Sequence, residues 1–318
     1  MKILFLGFST FIQNRLLDYL AQERCFTEIA VASRSAVPGN CDRFICVSKL
    51  YTDYDQAIQD FSPDIVYISL VNSLHAEWIE KSLNYNCHVI VDKPACLELA
   101  ETERLLDLAD NKQLCLAEAL VYSSHTQIVS LLNEFSRENI KPKSIVCSFS
   151  FPSFSDDNFR NKAELGGGAI WDLGPYAVSI ARVFFNSPLH SVSAILTSTH
   201  PQTGVETGFT ILAKSQDARS VVGHFGFDTE YRNNLLVLAE GMNIEVDRIF
   251  TTPYDKANKL KVQCRGDYSE IEISPCNAPV VFLGNVISAI NKKSWGQYSN
   301  AMLDDARALK LLCEALAK

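Results

Sequence analysis

The chain has 318 residues, 47% hydrophobic and 21% charged, with a formal net charge of −8. This length favours two bodies over one large core, and the composition excludes disordered, collagen-like and fibrous chains. The acidic balance leaves no electrostatic footprint for nucleic acid or an anionic membrane.

In chain order, apolar runs at 2–6, 27–33, 43–47, 64–70, 87–91 and 114–118 predict strands. Helical patterns at 12–22, 53–60, 73–84 and 98–111 alternate with them. Continuous apolar strands separated by helices predict a parallel sheet covered on both faces. The first run, Ile3-Leu4-Phe5-Leu6, is followed soon by Gln13, Asn14 and Arg15 with no A-x-A cleavage site, so it reads as a buried strand and not a leader peptide.

Beyond residue 120 the pattern changes. A helix over 122–138 is followed by Pro142, a strand at 144–151, a glycine-rich turn and an apolar helix to about 185. Short strands follow at 191–198, 206–214, 218–227, 235–240, 243–247 and 269–273, without helices between them, then helices at 279–291 and 299–316. That grammar predicts an open, mostly antiparallel sheet. The fold class is therefore α/β: a doubly wound Rossmann domain over 1–121, then an α+β domain over 122–318 for substrate and oligomerisation.

No stretch of the length needed to span a membrane is uniformly apolar. The ten cysteines form no C-x-x-C pair, the tightest spacing being Cys41 and Cys46. They read as reduced thiols of a cytoplasmic protein. The six histidines lack metal-ligand spacing, and no metal is expected.

In a doubly wound sheet, ligands bind beyond the carboxyl ends of the strands. The first strand leads into Gly7-Phe8-Ser9-Thr10-Phe11-Ile12, which keeps only the first glycine of G-x-G-x-x-G. Ser9 is small enough for phosphate approach and can itself hydrogen-bond, and the helix start behind it offers amides. The second strand ends in Ser33-Arg34, where an NAD site wants a carboxylate; a hydroxyl and a guanidinium suit the 2′-phosphate of NADP. As a bare pattern, Arg34 reads equally as a solvated loop residue.

Four further segments stand in order: Asn72-Ser73-Leu74-His75 after a strand, Asp92-Lys93-Pro94 after the next, Ala117-Glu118-Ala119-Leu120-Val121-Tyr122, and Phe159-Arg160 followed by Gly166-Gly167-Gly168-Ala169-Ile170-Trp171-Asp172-Leu173-Gly174-Pro175-Tyr176. Lys93 should project from a strand's carboxyl end, where a cation can polarise a carbonyl. Asp172 and Tyr176 are four apart, hence on one helix face unless Gly174-Pro175 distorts it. A surface ion pair for Lys93 and a core position for Tyr176 are the plainer readings of each residue alone.

Together the four motifs resemble the Gfo/Idh/MocA oxidoreductases, named after glucose–fructose oxidoreductase and inositol dehydrogenase, over nearly the whole chain. Departures are Asp92 for the usual Glu, Val71 for a proline, and Tyr176 where many members have His. The resemblance implies an NAD(P)-dependent oxidoreductase acting on a sugar-like alcohol or ketone. Lys93, Asp172 and Tyr176 would be catalytic. Gly7, Phe8, Ser9, Thr10, Phe11, Ser33, Arg34, Leu70, Asn72, His75, Asp92, Lys93 and Arg160 would hold a cofactor, NADP(H) preferred and NAD(H) possible. His75 would brace the crevice, and Arg160 would hold a cofactor or substrate phosphate, a surface ion pair being its plainer reading. The stretches Tyr231-Arg232-Asn233 and Asp247-Arg248-Ile249-Phe250-Thr251-Thr252-Pro253 are similar to those of members acting on nucleotide-linked sugars. A homodimer or tetramer through the second sheet is implied as well. The alternative is a non-catalytic, ligand-sensing member, which the degraded glycine fingerprint favours and the retained Lys93, Asp172 and Tyr176 oppose.

Overall fold

The computed structural model describes residues 1–20, 26–34 and 46–317. They form two compact units: Met1–Ala119 with Phe282–Leu303, and Leu120–Val281 with Asp304–Lys318.

The first unit is built on six parallel strands: β1 (Lys2–Leu6), β2 (Glu28–Ala32), β3 (Val47–Tyr51), β4 (Ile65–Ile68), β5 (His88–Asp92) and β6 (Leu116–Ala119). Their order is β3-β2-β1-β4-β5-β6. The strand order therefore reverses between β1 and β4, the place where such sheets bind dinucleotides. Ile3 to Leu6, Ile65 to Ile68 and Val89 to Val91 are all buried, which explains their uninterrupted apolar sequence.

A π-wound segment, Ile12–Leu17, follows β1 and passes into α1 (Asp18–Leu20). Next come α2 (Tyr54–Phe61), α3 (His75–Asn84) and α4 (Leu99–Asn111). Helix α2 starts where the Asp53 carboxylate accepts the Gln56 N–H at 2.7 Å, a cap worth about 1 kcal/mol. Residues 21 and 22 of the expected first helix, residues 43–45 of the expected third strand, and Cys25 and Cys41 lie outside the described residues. The third strand runs later than expected, over Val47–Tyr51, because Ser48, Lys49 and Leu50 on this sheet edge are exposed and carry no apolar run.

The second unit carries α5 (Thr126–Arg137), β7 (Ser144–Ser150), α6 (Ala169–Phe185) and the strands β8 (Leu189–Thr199), β9 (Glu206–Ser215), β10 (Ser220–Gly226), β11 (Arg232–Ala239), β12 (Met242–Asp247), β13 (Asn258–Cys264) and β14 (Asp267–Ile273). The helices α7 (Ala278–Asn291) and α8 (Gly296–Leu316) complete the chain. The eight strands are ordered β14-β13-β12-β11-β7-β10-β9-β8, antiparallel except for the parallel pair β7 and β10. Strand β13 was absent from the sequence reading: only Leu260 and Val262 point inward, between exposed Lys259 and Lys261.

Helix α6 packs along β8, β9 and β10. The opposite sheet face leaves apolar side chains in one row. Leu212 faces Val222, Val222 lies beside Val146, and Val146 faces Leu236. Leu212, Val222 and Val146 are exposed, as is Ile195 farther along β8.

Gly174 lets α8 approach α6, since a Cβ there would come 2.8 Å from Leu309 Cδ1. The same two helices are tied by Arg182, whose Nε donates to Asp305 Oδ1 at 2.8 Å and Nη2 to Oδ2 at 2.5 Å. Burial pushes the Asp305 carboxyl up, and Arg182 opposes that shift. Replacing Arg182 alone strands a buried charge. Arg182→Met should cost about 3–5 kcal/mol in urea denaturation, whereas Arg182→Met combined with Asp305→Leu should recover most of it. Additive losses would show that the two residues do not act as a pair.

Candidate active site

In the first unit the carboxyl ends of β1, β4 and β5 are joined by one hydrogen-bond network. Gly7 leaves β1 with φ 96°, and any Cβ there would collide with the Ser69 carbonyl. Glycine is required at this position. Ser9 Oγ accepts the Ile12 N–H at 3.2 Å and lies 2.8 Å from Ser69 Oγ. Ser69 donates to Asp92 Oδ2 at 2.5 Å, and the Tyr67 hydroxyl donates to Asp92 Oδ1 at 2.9 Å. Burial raises the Asp92 carboxyl, while Ser69, His75, Tyr67 and Lys93 all pull it back. Burial pushes the Tyr67 phenol well up, so it stays a neutral donor.

His75 is fully buried, with Nδ1 2.7 Å from the Pro94 carbonyl and Nε2 3.1 Å from that of Leu70. Burial lowers its pKa, while the Pro94 and Leu70 carbonyls that both ring nitrogens face pull it back up. Its carbonyl partners lie on either side of the strand ends, which makes His75 a brace of the Lys93-Pro94 turn. The Lys93–Pro94 peptide is cis, and the following Ala95 N–H is accepted by Glu118 Oε1 at 2.7 Å. Lys93 is half-buried at the end of β5, and Asn72 is buried in the turn before α3.

Of the remaining predicted cofactor residues, the Phe8 carbonyl accepts from Gln13, Phe11 is half-buried and Thr10 is exposed. Ser33 is buried and its N–H reaches the Tyr51 carbonyl. Arg34 is exposed with its guanidinium 5.6 Å from the Tyr54 ring. Among the described residues no carboxylate pairs with it. These residues fit a dinucleotide: a glycine at the switch point, helical amides directly behind it, and an exposed guanidinium after β2.

In the second unit, α6 presents Asp172 and Tyr176, and Pro175 does not break it. Gly166 and Gly168 have φ 72° and 113°, and a Cβ on Gly167 would strike three backbone carbonyls, those of Phe159, Arg160 and Lys162. The segment before the helix is thus wrapped around bare glycine backbone. Arg160 closes that wrap: its Nε donates to Asp172 Oδ2 at 2.7 Å and Nη2 to Oδ1 at 3.3 Å. Its guanidinium also sits 4.7 Å from both the Phe154 and Phe159 rings. The structure ties Arg160 to Asp172, in line with the ion pair that was the plainer alternative to its holding a cofactor or substrate phosphate.

Tyr176 is half-buried and rests on Tyr122, Phe149 and Phe250, with ring centroids 5.8, 5.2 and 5.6 Å away. Tyr122 is different: it is buried, its hydroxyl is 2.9 Å from Ser179 Oγ, and burial raises its pKa strongly. Tyr176 is the more exposed tyrosine of this pair.

Ser69, Tyr67 and Gln127 escaped the sequence reading, and Asn233 entered it only within the Tyr231-Arg232-Asn233 stretch. Tyr67 and Ser69 were visible as polar atoms inside an apolar run, and Gln127 as an amide on the apolar stripe of α5 with Ile128 and Leu131.

Comparison with known proteins gives a consistent picture. Residues 1–120 match the model of an oxidoreductase family with an NAD-binding Rossmann fold, and residues 141–246 match the GFO/IDH/MocA C-terminal domain. The dTDP-3,4-didehydro-2,6-dideoxy-alpha-D-glucose 3-reductase of Saccharopolyspora spinosa is 30% identical over 277 residues, covering 84% of this chain and 81% of that one. A D-xylose 1-dehydrogenase (NADP(+)) of Haloferax volcanii is 32% identical, over 66% of this chain and 64% of its own. The crystal structure of KijD10, a 3-ketoreductase from Actinomadura kijaniata in complex with NADP and TDP-benzene, superposes with a TM-score of 0.90 at 23% identity, covering 100% of this chain and 97% of that one.

Proposed function

The chain belongs to the Gfo/Idh/MocA family of oxidoreductases, and from that premise we propose that it is an NADPH-dependent reductase of a keto-sugar carried on a nucleoside diphosphate. Similarity to a dTDP-keto-sugar 3-reductase over most of both chains supports the substrate class. The observation that carries the chemistry is Tyr176, a half-exposed phenol seated on three aromatic rings, one turn beyond a carboxylate locked by Arg160.

In this reading residues 1–121 handle the dinucleotide and 122–318 the sugar. The dinucleotide supplies the hydride. Tyr176 donates its hydroxyl proton to the oxygen that gains charge as the carbonyl is reduced. The Lys93 ammonium stabilises that oxygen. Asp172, held bidentately by Arg160, fixes the glycine-rich segment against the first turns of α6 and so sets the position of Tyr176. Asp92, Ser69 and Tyr67 hold the strand end from which Lys93 projects. The reading also takes the protein to be cytoplasmic, in keeping with Cys87, Cys96, Cys115, Cys147, Cys264 and Cys276, none of them in a disulfide.

Tyr176→Phe should lower kcat by roughly 10²–10⁴-fold with NADPH affinity unchanged. Lys93→Met should lower it at least as far, and the double variant should be little worse than either, because both groups serve one proton transfer. A Tyr176→Phe enzyme with wild-type kcat would move the proton donor elsewhere.

Arg34 carries the choice of cofactor. Arg34→Ala should weaken NADPH binding roughly 10–100-fold by removing a charge-assisted contact to the 2′-phosphate, with NADH binding nearly unchanged. Equal wild-type affinity for NADPH and NADH would overturn that assignment.

The exposed Leu212, Val222 and Val146, with half-buried Leu236 at the end of the same row, support an isologous pairing of two copies through the second sheet. Light scattering should then give twice the 35.5 kDa chain mass or a multiple of it; single chains throughout the micromolar range would exclude it.

A further inference from the structure

The three rings that seat Tyr176 are held in different ways. Phe149 belongs to β7. Tyr122 is anchored through its hydroxyl to Ser179 Oγ on α6. Phe250 lies between β12 and β13, in a bend that is neither helix nor strand. Its ring nonetheless meets every member of the seat, 5.6 Å from Tyr176, 5.4 Å from Tyr122 and 5.1 Å from Phe149. Phe250 is buried, so the polar backbone around it needs partners that no ladder of main-chain bonds supplies.

Gln127 supplies them. It is fully buried on α5, and its Nε2 donates to the Arg248 carbonyl, the Ile249 carbonyl and Thr252 Oγ1 at 3.4, 3.1 and 3.2 Å. Thr252 Oγ1 donates onward to the Arg248 carbonyl at 2.6 Å. On the other side, Gln127 Oε1 accepts from Asn258 Nδ2 at 2.8 Å, and the same nitrogen donates to the Asp247 carbonyl at 2.7 Å. Carbonyls only accept, so these partners fix both amides in one orientation. Asn233 adds a second grip from β11, where its Oδ1 accepts the Phe250 N–H at 3.1 Å. Gln127 is itself held at the start of α5, where His125 Nδ1 accepts its N–H at 3.1 Å.

The rest of this helix face is apolar: Ile128, Leu131 and Phe135 are buried on it. An apolar side chain in place of Gln127 would pack there without the cost of a desolvated amide. The amide is accounted for by what it bonds, since the partners of its side chain all lie between Arg248 and Asn258. Within that segment Phe250 is the residue whose ring meets Tyr176. The chain of contacts therefore runs from the Gln127 amide to the turn, from the turn to Phe250, and from Phe250 to the phenol.

We propose that Gln127 is a positioning residue for the proton transfer: by fixing Phe250 against the Tyr176 ring, it sets where the phenol hydroxyl stands. This deepens the proposed function and rests on Tyr176 as the proton donor. Gln127 acts through Phe250 and takes no part in binding. A misplacement of about 1 Å can cost on the order of 10²-fold in rate, so a loosened seat lowers turnover while substrate and cofactor still bind.

The test places 3-fluorotyrosine at Tyr176 in the full chain and follows its fluorine NMR signal beside steady-state kinetics. The seated ring should give one narrow resonance. Gln127→Met should shift or broaden it, and so should Phe250→Leu, which removes the ring and leaves both amides. Met242→Ala, a core change at the opposite end of β12, is the control: it should lower the melting temperature and leave the resonance and kcat in place. With NADPH and a dTDP-linked 3-ketosugar as probes, Gln127→Met should lower kcat roughly 10–100-fold and leave both KM values within about threefold. Added to Tyr176→Phe, it should lower kcat by less than about twofold more, because its contribution runs through the phenol. Gln127→Glu keeps the shape and the acceptor for Asn258 but loses the donors; it should behave like Gln127→Met, and it carries the test if Gln127→Met does not fold. A folded Gln127 variant with wild-type kcat or an unmoved resonance overturns the positioning role alone, as does a loss that multiplies in full with that of Tyr176→Phe. Wild-type kcat in Tyr176→Phe instead overturns the proton donor on which the role rests. If the wild-type protein does not turn this ketosugar over, the substrate class falls and the resonance still decides whether Gln127 sets the ring.

Discussion

A buried polar group must find its partner inside the chain, because leaving it unmade costs about 1–3 kcal/mol. At the end of β5 the same requirement falls on Asp92, a half-buried carboxylate. Two hydroxyls from β4 and its following turn, Tyr67 and Ser69, meet its two oxygens. Ser69 in turn reaches Ser9, in the loop after β1. Satisfying one carboxylate therefore sets the mutual position of three strand ends. Lys93 follows Asp92 directly and inherits that rigidity. His75 and Glu118 extend it by taking the backbone of Pro94 and Ala95.

The second unit meets the same requirement with amides. Asn and Gln offer both donors and acceptors, so one side chain can serve several backbone groups of an irregular turn. Gln127 and Asn233 do this for Arg248 to Thr252. The result is a loop held by side chains of two other elements, with Phe250 against the Tyr176 ring. Charge plays the equivalent part at Arg160 and Asp172. A bidentate pair has one geometry, so it fixes the direction in which the glycine-rich segment enters α6. Lys93 thus stands on a polar support, whereas Tyr176 rests on core aromatic rings and on a turn held by polar side chains.

Those supports mark the limit of what could be read from the sequence. The parallel strands were legible because each is buried on both sides and shows as an apolar run. Strands β3 and β13 were not, because Lys49, Lys259 and Lys261 interrupt them with side chains that face solvent. Lys93, Asp172 and Tyr176 stood out through local motifs. Their partners did not: Arg160 reaches Asp172 across 12 positions, Ser69 reaches Asp92 across 23, and Gln127 reaches Thr252 across 125. Such pairings are properties of the folded chain. A lone serine or glutamine carries no sign of the partner it will meet.

The glycine fingerprint was the poorest match in the sequence, and its two departures have different physical readings. The second glycine of the fingerprint lets the backbone come close to a pyrophosphate. Ser9 adds one small side chain there, but that side chain turns inward: its oxygen accepts the Ile12 N–H and contacts Ser69. It thereby caps the helical segment it precedes, a role for which serine is favoured. The third glycine normally allows close packing of helix on strand. Ile12 is fully buried in its place, and the segment from Ile12 to Leu17 winds with the wider π geometry. Gly7 is the position that admits no such exchange, since its backbone is left-handed and the Ser69 carbonyl fills the space a Cβ would need. A dinucleotide loop thus retains the glycine demanded by its own fold, while the other two positions take residues that cap or pack the helix behind it.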